Sequence, residues 1–140
     1  MKTIKITYLA LVLILSTLVS CKKDEPTPVP TIPVDGIWIG HYTTIGDPTE
    51  YYLSFELKND GVPGNGIVNV FDAQGNATKV GTGNYTLTDN ILDIVFTYSG
   101  NPTQLIYTAF YDSKDGTINN ATWGIKPSKT NGGTWMMTKQ

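Results

Sequence analysis

Three kinds of side chain could do chemistry in this sequence: a lone thiol at Cys21, a lone imidazole at His41, and a large set of tyrosines and tryptophans beyond residue 35. A single cysteine cannot close an internal disulfide, and one Cys with one His cannot build a Cys/His metal site. Cys21 therefore reads as a point of attachment. His41 lies beside Tyr42 with no recognisable nucleophile motif around it, and a general base needs a positioned nucleophile. Asp112-Ser113-Lys114-Asp115-Gly116 carries acids like those of a calcium loop, yet the twelve-residue spacing and its terminal glutamate are missing, so the stretch reads as a charged hairpin turn. Asp24 and Glu25 are adjacent acids in a stretch with no scaffold to preorganise them. Asn76-Ala77-Thr78, Asn84-Tyr85-Thr86 and Asn120-Ala121-Thr122 match the glycosylation triplet, a frequent pattern that here decides nothing. No catalytic residue, metal ligand or cofactor site is expected, and the chain reads as a non-enzyme.

The aromatic residues are the richer signal, with fourteen of them beyond residue 35. In one reading Trp38, Tyr42, Phe55, Phe71, Tyr85, Phe96, Tyr98, Tyr107, Trp123 and Trp135 line a cavity, where tyrosine hydroxyls and indole donors orient a small apolar guest. In the other they are the packed core that a small domain needs. Both readings stay open at the level of sequence.

These residues need elements to hold them, and the amino terminus supplies the first. Met1 to Lys5 carries two lysines, Ile6 to Val19 is an apolar run, and small Ser20 precedes Cys21. That order is the order of a secretory signal, and the run is shorter than the roughly 20 residues of a spanning helix. Leu18-Val19-Ser20-Cys21 resembles the lipobox of bacterial lipoproteins. The resemblance implies a signal peptide over 1–20, cleavage before Cys21, and acyl chains (a palmitate-type modification) on Cys21 that make the membrane a partner. Each buried CH₂ contributes about 0.8 kcal/mol, so several chains would anchor the protein stably. Lys22 stands where an aspartate would mark inner-membrane retention, and Lys23-Asp24-Glu25 is similar to a surface-export signal. The expected location is the outer membrane, lipid-anchored, with display on the outside as a further expectation.

Residues 26–34 read PTPVPTIPV, with prolines at 26, 28, 30 and 33 that fix φ and remove backbone donors. An extended, polyproline-like tether over residues 21–34 follows, and the domain is expected to begin near Asp35 and run to residue 140. All ten basic residues are lysines, against twelve acids. Without arginine or a basic patch, nucleic acid is not an expected partner.

Beyond the tether the chain alternates strand-like runs with turn signals: Gly46-Asp47-Pro48, Asn59-Asp60-Gly61, Gln74-Gly75-Asn76, Thr88-Asp89-Asn90, Ser99-Gly100-Asn101, Lys114-Asp115-Gly116 and Asn131-Gly132-Gly133. Seven turns imply eight strands. Tyr51, Leu53, Phe55 and Leu57 share one face, as do Leu92, Ile94, Phe96 and Tyr98, and no window shows helical spacing. The connections are too short for parallel crossovers, so the fold class is all-β: an antiparallel, up-and-down meander of eight strands closing into a barrel. A β-sandwich is the alternative. Closure would bring the strand of Trp38 beside that of Trp135.

Gly36-Ile37-Trp38 is similar to the Gly-x-Trp opening of lipocalins and related calycins, a superfamily that includes avidins, and Gly133 to Lys139 is similar to the closing Trp-containing strand of short bacterial members. The resemblance implies a lipocalin-like or avidin-like barrel. Lipocalins pair the first tryptophan with a late arginine that this chain lacks; Lys139 could replace it only in part. The avidin biotin site does not map, so biotin is not implied. Two functions are expected from these readings: a membrane-anchored barrel binding a small apolar ligand, or a filled barrel acting as an interaction or inhibitor module on another envelope protein. In Gln104 to Asp112, Leu105, Tyr107 and Tyr111 face one way and Ile106 and Phe110 the other, and one of those faces is a candidate outer patch.

Overall fold

The structure, a computed structural model, describes residues 31–71 and 78–140. The signal segment, Cys21, the tether up to residue 30 and the turn at Gln74-Gly75-Asn76 lie outside the described residues. Eight strands follow one another: β1 Gly36–Thr44, β2 Asp47–Asn59, β3 Asn65–Phe71, β4 Lys79–Thr88, β5 Ile91–Tyr98, β6 Leu105–Asp112, β7 Thr117–Ile125 and β8 Gly133–Lys139. Each pairs antiparallel with the next, and β1 pairs with β8, which closes the barrel in simple meander order. Tyr42 lies opposite Trp135 and Trp38 opposite Lys139, so the two tryptophan-bearing end strands run side by side. No helix occurs among the described residues.

Local chemistry explains the turns. Asp89 and Asn90 both adopt positive φ (50° and 66°), the geometry of a two-residue type I′ hairpin, and short polar side chains tolerate it. Along the strands, Leu53, Phe55 and Leu57, then Leu92, Ile94 and Phe96, are buried while their neighbours are not, as a half-buried sheet requires. Two glycines answer a close approach of backbones. A Cβ on Gly40 would stand 1.9 Å from the carbonyl oxygen of Met136, and one on Gly83 equally close to that of Val95. Glycine lets the sheet coil tightly enough to close there.

The barrel has one sealed end. Residues 32–34, which the proline pattern assigns to the tether, lie across the end where β1 starts. Ile32 donates its N–H to Ser113 O and accepts from the Tyr111 hydroxyl, while the Trp38 indole donates to Val34 O at 2.8 Å. Lys139 Nζ donates to Pro33 O, and the Tyr85 hydroxyl donates to Asp35. Val34 itself is only 6% exposed. Lys139 thus holds this strap rather than stacking as a late arginine would.

The middle is filled. Phe55 on β2 meets Phe96 on β5 (ring centroids 5.5 Å), Tyr107 on β6 (5.6 Å) and Trp135 on β8 (6.2 Å). In a ring of eight, β2 and β6 are diametrically opposed, so the Phe55–Tyr107 contact spans the axis. Ridges of aromatic edges against faces make this a packed core.

Two features depart from an ideal barrel. The β7–β8 seam is joined by two residue pairs only, Thr122 with Thr134 and Trp123 with Gly133. The segment of residues 126–132 folds back on the outer face: Lys126 N–H donates to Gln104 O, Lys129 pairs with Asp93 at 2.6 Å, and Gly124 lies directly beneath Ser128, Thr130 and Asn131. Ile106, the register partner of Gly124, is therefore 6% exposed even though it points away from the axis. Phe110 stays 38% exposed beside Ile91, so the candidate patch on β6 shrinks to that pair.

Candidate functional site

With one end strapped shut and the centre packed, the inward-facing positions left for chemistry among the described residues are those of the opposite mouth, where β1, β5 and β7 end and β2 and β6 begin. Inward-facing positions there carry Tyr42, Tyr51, Tyr98, Tyr107 and Trp123. Their rings form a connected rim: Tyr42 stacks on Tyr51 at 5.3 Å and meets Trp123 edge-on at 5.5 Å, Trp123 stacks on Tyr107 at 5.7 Å, and Tyr107 touches Phe96, which in turn packs against Tyr98 at 5.4 Å.

Hydrogen bonding separates these aromatics into spent and unspent groups. All three indole N–H groups donate to backbone carbonyls: Trp38 to Val34, Trp123 to Thr43, and Trp135 to Thr122 and Thr108. The expectation that indoles would orient a guest therefore has no free donor behind it. Tyr85 and Tyr111 spend their hydroxyls at the sealed end and Tyr51 donates to Asp47. The hydroxyls of Tyr42, Tyr98 and Tyr107 make no hydrogen bond with any described group. Tyr107 is 1% exposed, yet no described buried polar side-chain atom cut off from solvent lacks a partner. Of the ten aromatics expected to line a cavity, Trp38, Phe55, Tyr85, Phe96, Tyr107 and Trp135 are core residues, and Tyr42, Tyr98 and Trp123 pack against them at the rim. Phe71 is half-buried and outside that cluster, because it follows inward-facing Val70 on β3.

The three free phenols share one electrostatic environment. Burial raises the pKa of Tyr98 to about 12 and raises that of Tyr107 further, each also feeling neighbouring tyrosines, while Tyr42 is raised by burial alone. In the unfolded chain a tyrosine titrates near 10. A raised folded pKa means stability that is intact below pH 10 and is lost as the pH climbs from about 10 towards 12. We therefore expect alkaline unfolding in that window. Phenolate absorbance of the buried tyrosines should rise together with the change in tryptophan emission; phenolate appearing near pH 10 with unchanged emission would contradict the packing described.

His41 lies on the outer face of β1, its ring 4.6 Å from that of Tyr52, above a shallow hollow of about 140 Å³ shared with Glu50, Thr134 and Met136. Among the described residues no group of three or more His, Cys, Asp or Glu side chains converges. Residue parity put these aromatics on inward faces; nothing in the sequence marked which hydroxyls would be paired, because two of the three paired ones reach partners distant along the chain, Tyr85 the Asp35 carboxylate and Tyr111 the Ile32 carbonyl.

Comparison with known proteins finds no matching family model, no similar curated protein and no similar solved structure.

Proposed function

We propose that the barrel is a non-enzymatic binding module that takes a small, mostly apolar guest at the tyrosine-lined mouth. The observation that supports this reading is the set of three hydroxyls, on Tyr42, Tyr98 and Tyr107, that find no hydrogen-bond partner among the described residues, carried by one buried and two partly buried rings at the end opposite the strap. Aromatic faces supply contact area, and a hydroxyl that gives up a weakly held water for a guest's polar atom supplies orientation. The filled centre restricts the guest to the size of one or two rings, seated shallowly. Titration with an environment-sensitive apolar dye and with simple phenols tests it. Wild-type protein should bind saturably with a change in tryptophan emission, and Tyr107→Phe should weaken phenol binding about fivefold to tenfold, the worth of one hydrogen bond. Equal binding by the variant, or no binding by either, would remove the site.

The lipobox-like LVSC at residues 18–21 supports a lipid-anchored envelope location for this module. Labelled palmitate should enter the wild-type chain in a bacterial host and fail to enter Cys21→Ala. A calycin relationship is part of the same proposal, supported by Trp38 and Trp135 on adjoining end strands.

A further inference from the structure

The ring is closed, but one seam is closed over only part of its length. From Thr108 to Phe110 on β6 is two residues, while the partner strand goes from Thr122 to Asn119, three residues, so β7 carries a bulge, and Asn120 takes φ 51° there. A bulge ends local pairing and bends the strand that holds it. The β7–β8 ladder stops at Thr122, next to that bend. Beyond it, among the described residues, Thr117–Asn119 pair only with β6, and Met136–Thr138 pair only with β1. Two strand edges thus face a shared cleft of about 660 Å³, floored by Ile118 and Met137 and rimmed by Asn119 and Met136. Met136 is 64% exposed.

The chemistry of these walls selects the occupant. A strand edge presents a row of N–H and C=O groups at the spacing of an extended backbone. An acyl chain or a flat aromatic would cover those groups without pairing them, whereas an extended polypeptide pairs them and continues the two rungs already present. The chain's own residues 21–30 match badly, since prolines at 26, 28 and 30 lack the N–H that pairing needs. We propose that the β7–β8 cleft receives an extended segment of a partner protein by strand addition, with alternate apolar side chains directed onto Ile118 and Met137 and polar ones outward. This docking surface lies on the barrel wall towards the strapped end, so it does not depend on the tyrosine mouth.

The test uses the full chain and a synthetic probe, acetyl-Thr-Val-Thr-Val-Thr-Val-Lys-amide, followed by fluorescence anisotropy and amide hydrogen exchange. In the free protein the amides of 117–119 and 136–138 that pair with β6 or β1 should be protected while those directed into the cleft exchange freely, and the latter should gain protection with the peptide. The same peptide N-methylated at every second residue should bind about tenfold more weakly or worse, because it loses several backbone hydrogen bonds. Equal binding of the methylated peptide, protection elsewhere, or no binding would overturn the proposal. So would full protection in the free chain: if it depends on concentration a second copy fills the cleft, and if it does not, the chain's own amino-terminal segment does. Met136→Lys, a change at an exposed edge position, should weaken peptide binding while Tyr107→Phe leaves it unchanged, and the reverse pattern would also overturn it.

Discussion

Replacing Phe55 by alanine is expected to destabilise the barrel by about 3–5 kcal/mol, the cost of removing a buried aromatic ring and leaving a void. Phe55 is 1% exposed and its ring meets three others, on β5, β6 and β8, so no single neighbour can move in to fill the space without abandoning the rest. A domain of this size has a total stability on the order of 5–15 kcal/mol, so the variant would retain a small fraction of it or none. With a typical urea slope, the unfolding midpoint should fall by about 2 M. Trp135 lies 6.2 Å from Phe55 and is a convenient reporter, since its emission should shift even in whatever folded population survives. A loss under about 1 kcal/mol would mean that the rings do not meet across the axis and that the centre is hollow.

Gly40→Ala is the second large effect, and here two terms oppose one another. Alanine restricts the unfolded chain and so stabilises by about 0.4–1 kcal/mol where the folded backbone accepts it. At Gly40 the new methyl would sit 1.9 Å from Met136 O and 2.8 Å from Met137 Cα, both backbone atoms of the paired strand β8. No rotamer can relieve that contact; the β1–β8 ladder has to part. The clash wins, at about 3 kcal/mol net, within the range measured for overpacking. Thermal unfolding followed by circular dichroism would show it, and hydrogen exchange should place the loosening in β1 and β8. A variant as stable as the parent would mean that β1 and β8 approach less closely than described.

Much of this architecture was readable from residue types. The alternation in Tyr51–Leu57 and Leu92–Tyr98 marked two strands and their buried faces, and six of the seven turn signals fall at or beside the described connections, the seventh lying outside the described residues. What could not be read depended on contacts distant in sequence. Thr117–Ile125 shows no clean alternation because the bulge at Asn120 puts Ile118 and Ala121, three apart, against the same core. Ile106 sits on the outward parity and is buried nonetheless, since parity tells which side a residue faces and not what lies on that side. The prolines of residues 26–34 indicated an extended tether; that residues 32–34 would find carbonyl, hydroxyl and indole N–H partners on Ser113, Tyr111 and Trp38 had no local signature. The mouth was legible as a set of aromatics, while its division into paired and unpaired hydroxyls emerged only with the fold.

The strap has a directional consequence. Because the chain leaves the barrel from the strapped end, any pull on residue 31 is carried first by Ile32 through Ser113 and Tyr111, then by Val34 through the Trp38 indole, before it reaches the ladder of β1. Whatever holds residue 31 from upstream, the tyrosine rim lies at the other end of the barrel, like the lip of a cup fixed by its base.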